Sequence, residues 1–380
     1  MVQRLASLDA FRGFAIASMV LVNNPGDWGR LYPPLAHAEW NGWTFTDLVF
    51  PFFLFAAGVS MAISVERRAR AGAEPPALIR DLVRRAAVIF LVGLALNLFP
   101  AFDFSTVRIP GVLQRIALCV LIAAPLAVHS STKSIGLWIA ILLGAYTIAM
   151  LLVPIPGPDG RVTAGFLEPG RDFGAWVDRE LLAGHLWSRS RTWDPEGLWS
   201  TLPAACSLLF GVLAGRGVLA ARIGIATSAA MFAAGGAALA IGLVLDAALM
   251  PINKNLWTPS YCVFMTGWSL VAFAAFHAAM DGSASPALRN GARRALLPLT
   301  ILGMNALFIF ALSGFVGRLL VMSIAGGTGA AVSLKAWLYA PLSALPIAPE
   351  NASLLFAIAF EAAMFAVAWA MWKRRWFVKA

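Results

Sequence analysis

His37 is the side chain best suited to chemistry in this sequence. It lies in Leu35-Ala36-His37-Ala38-Glu39-Trp40-Asn41-Gly42-Trp43, just ahead of an apolar run that opens with Thr46-Asp47-Leu48-Val49. An imidazole changes charge near neutral pH and can take a proton from a nucleophile. The plain alternative is a solvated loop histidine. Asp47 reads as a plain helix N-cap or first-turn acid. Asp9 and Arg12, three residues apart, form either a local ion pair or a cationic site for a phosphate. Gln114 and Arg115 open another apolar segment, where Arg115 either snorkels to the interface or joins a buried polar cluster. Asp246 and His277 stand near helix ends and read as structural, whereas Glu361 falls mid-helix and needs a partner.

Other patterns are missing. No two histidines have metal-ligand spacing, and no G-x-S-x-G, Walker or dinucleotide-binding pattern is present. Cys119, Cys206 and Cys262 lie in or beside apolar segments and read as buried, unpaired thiols.

Tryptophan and polar residues concentrate together. Trp28, Trp40, Trp43, Trp187, Trp193 and Trp257 share the segments 27–45, 157–200 and 251–259 with Glu39, Asn41, Asp194, Glu196, Asn253, Lys254 and Asn255, and Arg108 lies in the similar segment 103–111. Such tryptophans form an interfacial belt. Interleaved with amides and charges, they also suit a sugar, whose apolar face stacks on indole while its hydroxyls meet the polar groups.

The elements that must position these groups are membrane helices. The 380 residues are 60% hydrophobic and 13% charged, far from a soluble domain of this length. Runs long enough to span lie near 8–26, 46–64, 83–102, 112–130, 134–155, 201–218, 225–249, 260–280, 296–322 and 353–372. The fold expected is an all-α polytopic membrane protein of about ten transmembrane helices, one domain over 1–380. Pro298, Gly303 and Gly314 predict a kink or tilt in the ninth. The apolar stretch 329–347, interrupted by Lys335 and two prolines, predicts an interfacial or re-entrant piece. The first segment, with Asp9 and Arg12 inside it, is expected to remain as a helix.

The net charge of +10 is not a nucleic-acid signature here. Most of the 29 lysines and arginines fall at one side of the alternating topology, among them Arg4, Arg67, Arg68, Arg70, Arg80, Arg84, Arg85, Arg222, Arg289, Arg293, Arg294, Lys373 and Lys379. The positive-inside rule then puts both termini in the cytoplasm. The functional loops, including the long loop 157–200, fall on the outer, periplasmic side of a bacterial inner membrane.

The ordered strings carry a resemblance. They are Ser7-Leu8-Asp9-Ala10-Phe11-Arg12-Gly13, Val22-Asn23, His37-Ala38-Glu39-Trp40-Asn41-Gly42, Asp47-Leu48-Val49-Phe50-Pro51, Pro110-Gly111-Val112-Leu113-Gln114-Arg115, Asp194-Pro195-Glu196-Gly197, Asn253-Lys254-Asn255-Leu256-Trp257 and Gly303-Met304-Asn305. Together they make the chain similar to the heparan-alpha-glucosaminide N-acetyltransferase family of transmembrane acyltransferases. That resemblance implies transfer of an acetyl group from cytoplasmic acetyl-CoA, as co-substrate and without a metal, to the amine of a glucosamine-type sugar on the far side. It puts the catalytic histidine on His37 and a nearby asparagine on Asn23.

On that reading His37 is a base or an acetyl carrier, oriented by Asp47 or Glu39. Asn23 or Asn41 faces the developing oxyanion. Arg12, with Asp9, Arg115 and Gln114, serves the acetyl-CoA side. Glu39, Trp40, Asn41, Arg108, Asp194, Glu196, Asn253, Lys254, Asn255 and Trp257 are the sugar-binding candidates. The partners are the lipid bilayer, acetyl-CoA and an amino-sugar acceptor, with a homodimer left open. The alternatives are an amino-sugar transporter without chemistry and an O-acetyltransferase of an envelope glycan.

Overall fold

A computed structural model describes residues 5–157, 160–221, 223–325 and 331–378; Arg4, Arg222, Lys379 and positions 329–330 lie outside the described residues. The chain is a nearly all-helical, multi-pass membrane protein. In order, its helices are α1 (Ala6–Asn23), α2 (Phe45–Arg70), α3 (Pro75–Leu98), α4 (Val112–His129), α5 (Thr132–Leu152), α6 (Phe173–Leu182), α7 (Thr201–Ala220), α8 (Ile225–Ala248), α9 (Pro259–His277), α10 (Pro286–Ala295), α11 (Leu297–Met304), α12 (Ala306–Val321), α13 (Leu334–Ser343) and α14 (Pro349–Lys373). Two antiparallel ribbons interrupt them: β1 (Ile155–Pro156) with β2 (Val162–Thr163), and β3 (Ser323–Ala325) with β4 (Ala331–Ser333).

All ten expected segments fall on helices. Among the described residues eight are long and apolar enough to cross a membrane, and a bent pair makes a ninth. The segment that does not qualify is α3, whose first half carries Arg80, Asp81, Arg84 and Arg85. The ninth segment breaks between α11 and α12 through 81°. The bend falls at Asn305, just after Gly303, and not at Pro298, which sits harmlessly in the first turn of α11. The interfacial piece expected around 329–347 contains α13, ten residues long and too short to span.

Close packing of small residues sets the bundle. A Cβ on Gly13 would strike the carbonyl of Leu299, and one on Gly303 the carbonyl of Asp9, so α1 and α11 cross backbone to backbone. Gly58 and Gly211 do the same for α2 and α7. Around the first crossing Phe11, Phe52, Phe55 and Phe273 interlock, with ring centroids 5.5–6.4 Å apart.

The two ends of the bundle differ. At one, Arg68 pairs with Asp81, Arg216 donates to the last carbonyls of α4, and Asp281 accepts from the Ser7 amide and pairs with Arg293. At the other end the long connections meet. The α1–α2 loop touches the α8–α9 loop through Gly42 N–H to Ile252 O, 2.7 Å, and the α3–α4 loop touches the α5–α7 connection through Ile109 N–H to His185 O, 2.9 Å.

Candidate active site at the loop-rich end

The start of α2 builds the centre. Thr44 is its N-cap, and Asp47, three residues on, reaches back so that Oδ2 accepts from the Thr44 amide at 3.0 Å and the Ala38 amide at 3.1 Å. Its other oxygen, Oδ1, lies 2.6 Å from His37 Nδ1. An ionised carboxylate only accepts, so Nδ1 donates and the lone pair sits on Nε2. Asp47 is enclosed, its side chain 1% exposed, while the His37 ring is 45% exposed. The site is therefore a fixed carboxylate behind an open imidazole. Pro51 supports it from below. Lacking an N–H, Pro51 cannot bond to the Asp47 carbonyl as a helix requires, and Tyr261 Oη donates to that carbonyl instead at 2.6 Å.

Lys254 reaches the same imidazole from the α8–α9 loop. Its Nζ lies 3.3 Å from His37 Nδ1 and 3.2 Å from Nε2. Asn253 locks that loop: fully buried, it accepts from the Leu256 amide and donates to Asn41 Oδ1 at 3.1 Å. Trp257 closes the loop in a left-handed conformation (φ 53°) and is 1% exposed, enclosed by Phe50, Tyr261 and the Arg115 guanidinium. Burial lowers the Lys254 pKa, and the charges of Glu196 and Asp47 only partly oppose it.

A second cluster joins the loops before α4 and α7. Arg108 Nε and Nη2 grip Asp194 at 2.8 and 2.5 Å, and Nη2 also meets Glu196 at 2.5 Å. Burial works against the Arg108 charge, but the two carboxylates outweigh it and raise its pKa. Burial likewise opposes the Glu196 charge, and Arg108, Arg115 and Lys254 together hold its pKa below the ordinary value. Arg115, 1% exposed, donates to Gly197 O at 3.1 Å and to Ser200 Oγ. It is part of a buried polar cluster and does not snorkel. Beside it, Asp178 accepts from the Leu198 amide at 2.9 Å, and burial pushes its carboxyl up to about 7.

Aromatic rings frame these groups. Trp40 and Trp193 meet edge to face at 5.3 Å, Trp187 and Trp193 at 5.9 Å, and Trp40 donates to Leu167 O. Asn255 lines a neighbouring cleft with Tyr146, Asp172, Trp193 and Asp194.

The sequence-expected residues thus separate into groups. His37, Asp47 and Lys254 come together, with Asn41 and Asn253 beside them. Arg108, Asp194 and Glu196 form one ionic cluster. Glu39 is exposed and, among the described residues, makes no hydrogen bond to His37, so Asp47 is the carboxylate on the imidazole. Asn23 is exposed in the last turn of α1 and makes no side-chain hydrogen bond among the described residues. Gln114 is buried at the start of α4, beneath Gly93 and Gly111. Asp9 and Arg12 lie near the far end of α1, 3.6 Å apart. Thr44, Tyr261 and Ser200 escaped notice in the sequence. The Thr44-x-x-Asp47 capping pattern could have revealed the first; nothing local marks the other two.

A family model described as heparan-alpha-glucosaminide N-acetyltransferase, catalytic, matches residues 4–164, the stretch that contains His37 and Asp47. The heparan-alpha-glucosaminide N-acetyltransferase of Homo sapiens is 29% identical over 331 residues, covering 73% of this chain and 49% of that protein. That of Mus musculus is 28% identical with the same coverage. The chain spans about half the length of the curated relatives it matches. Its ordered polar strings, its membrane helices and these matches agree: the chain resembles the heparan-alpha-glucosaminide N-acetyltransferases, a family of transmembrane N-acetyltransferases.

Proposed function

We propose that this protein transfers an acetyl group from cytoplasmic acetyl-CoA to the amine of a glucosamine-type sugar at the opposite face of a bacterial inner membrane. The observation that carries the reading is the His37–Asp47 pair: an open imidazole whose Nδ1 is fixed at 2.6 Å by an enclosed carboxylate. A base oriented in this way is what an acyl transfer to an amine needs. His37 Nε2 takes the amine proton as the nitrogen bonds to the acetyl carbon, and returns it to the departing thiolate. Asp47 holds the tautomer and balances the imidazolium.

The placement of charge supports the same reading. Arg12, at the far end of α1, suits the anionic nucleotide end of acetyl-CoA. From Arg12 to Asn23 the helix rises about 16 Å, roughly half of a hydrocarbon core of about 30 Å, a distance an extended pantetheine arm covers. Trp40, Asn41 and Asn255 then offer an aromatic edge and amides to the sugar, and the Arg108–Asp194–Glu196 cluster braces the loops around it. Cytoplasmic termini and a periplasmic loop-rich end follow from the distribution of lysine and arginine.

The transporter reading draws on one observation, the helix broken through 81° between α11 and α12, since broken helices mark many transporter sites. Thiol release from acetyl-CoA by the purified protein with D-glucosamine separates the two. An enzyme releases CoA only when an acceptor is present, and a transporter releases none. Release with a neutral sugar but not with glucosamine would mark a hydroxyl acceptor instead.

A further inference from the structure

Lys254 differs from the two arginines of the neighbouring clusters. Arg108 spends its donors on Asp194 and Glu196, and Arg115 bonds to Gly197 O and Ser200 Oγ. Lys254 makes no ion pair among the described residues; the contacts of its ammonium are the two nitrogens of His37, at 3.2 and 3.3 Å. A point nearly equidistant from both ring nitrogens at that range cannot lie in the ring plane, because it would collide with the carbon between them. The ammonium therefore rests against the ring face, in the manner of a cation on a π-system. It leaves the in-plane lone pair of Nε2 open, and it brings ammonium protons to the edge of the space that Nε2 faces.

The scaffold holds it there. Lys254 follows the fully buried Asn253, whose amide is bonded to both the Leu256 amide and Asn41, and Gly42 N–H bonds to Ile252 O on the other flank. The base and the cation thus sit on two loops stitched together on both sides of the contact.

We propose that Lys254 is a catalytic residue of the acetyl transfer, donating from Nζ to the thioester carbonyl oxygen as negative charge develops on it. This inference rests on the acetyl-transfer reading given above. In the step, the amine nitrogen bonds to the acetyl carbon and its proton passes to His37 Nε2. The carbonyl π pair moves onto the oxygen that Lys254 faces. As the oxyanion collapses, the C–S bond breaks and the thiolate takes the proton back from His37. Lys254 keeps its own protons throughout. One donor aimed at a developing oxyanion accounts for about 10²–10³ in kcat.

The test uses the full-length protein in lipid nanodiscs, with acetyl-CoA and D-glucosamine, reading CoA thiol. Lys254→Met is expected to lower kcat by about 100-fold or more and to leave the KM for glucosamine nearly unchanged. Lys254→Cys is expected to be as slow, and to recover when 2-bromoethylamine alkylates the thiol and rebuilds an ammonium side chain of lysine length. A raised KM with kcat preserved would assign Lys254 to sugar binding and overturn the inference. Failure of the alkylated Lys254→Cys protein to recover, at an unchanged thermal midpoint, would overturn it as well. Turnover that is lost in His37→Ala but kept in Lys254→Met overturns this inference alone. No turnover by the unaltered protein overturns the acetyl-transfer reading and this inference with it.

Discussion

At the scale of single residues the site rests on Asp47, which does two jobs. It holds backbone amides, capping α2 through that of Thr44 and tying down the preceding loop through that of Ala38, and it fixes His37 through Nδ1. The two jobs make separable predictions. Asp47→Asn keeps a side-chain oxygen for the amides but cannot hold the imidazolium that forms, so kcat is expected to fall about 100-fold or more, measured by CoA release, with little change in thermal midpoint. Asp47→Ala is expected to lose activity and also to unfold a few degrees lower. A sequence reader could find His37 and Asp47, because residue type and the capping pattern mark them. The sequence alone could not choose between Asp47 and Glu39. Both are carboxylates within ten residues of His37, and only the fold of the intervening turn buries one and exposes the other. Tyr261 was beyond reach for a related reason: it donates to the Asp47 carbonyl that Pro51 cannot serve, 214 residues from Asp47 in the chain.

At the scale of elements, the helices were legible because a span must be a long apolar run, and each expected segment became a helix. A kink in the ninth segment was legible from Pro298, Gly303 and Gly314, but its position at Asn305 was not; there α11 crosses α1 closely, Gly303 against the Asp9 carbonyl and Gly13 against that of Leu299. Gly13→Ala and Gly303→Ala should each destabilise the protein by about 1–3 kcal/mol, visible as a lowered midpoint in detergent. A midpoint unchanged in both would mean that α1 and α11 do not cross there.

The 157–200 connection makes a pH prediction. Burial raises the folded-state pKa of Asp178 from an ordinary 3.8 to about 7. A raised acid favours the folded state in its protonated form, so its contribution is full below about pH 4 and is lost as pH climbs through about 7. Thermal midpoints of the wild type should therefore decline over that window, and Asp178→Asn, which keeps an acceptor for the Leu198 amide, should flatten the decline.

At the scale of the whole molecule, the proposed reading has one architecture serve both the membrane and the chemistry. α1 runs from the Asp9–Arg12 pair to Asn23, and the loop that follows delivers His37 to the N-terminus of α2. Arg68, Arg216 and Arg293 lie at one end of the bundle and the His37 loops at the other; on the proposed reading this charge pattern orients the bundle and separates an anionic donor from its acceptor. Cytoplasmic termini are expected on this account. A fluorescent reporter at the C-terminus should be active in the cytoplasm, and one inserted in the 157–200 loop should not. The central claim is transfer of acetyl to an amine by way of His37. Its most direct measurement is mass-spectrometric detection of N-acetylglucosamine from acetyl-CoA and D-glucosamine with purified protein in nanodiscs. The account predicts product from the wild type and none above background from His37→Ala of equal thermal midpoint; product from His37→Ala at the wild-type rate would contradict it.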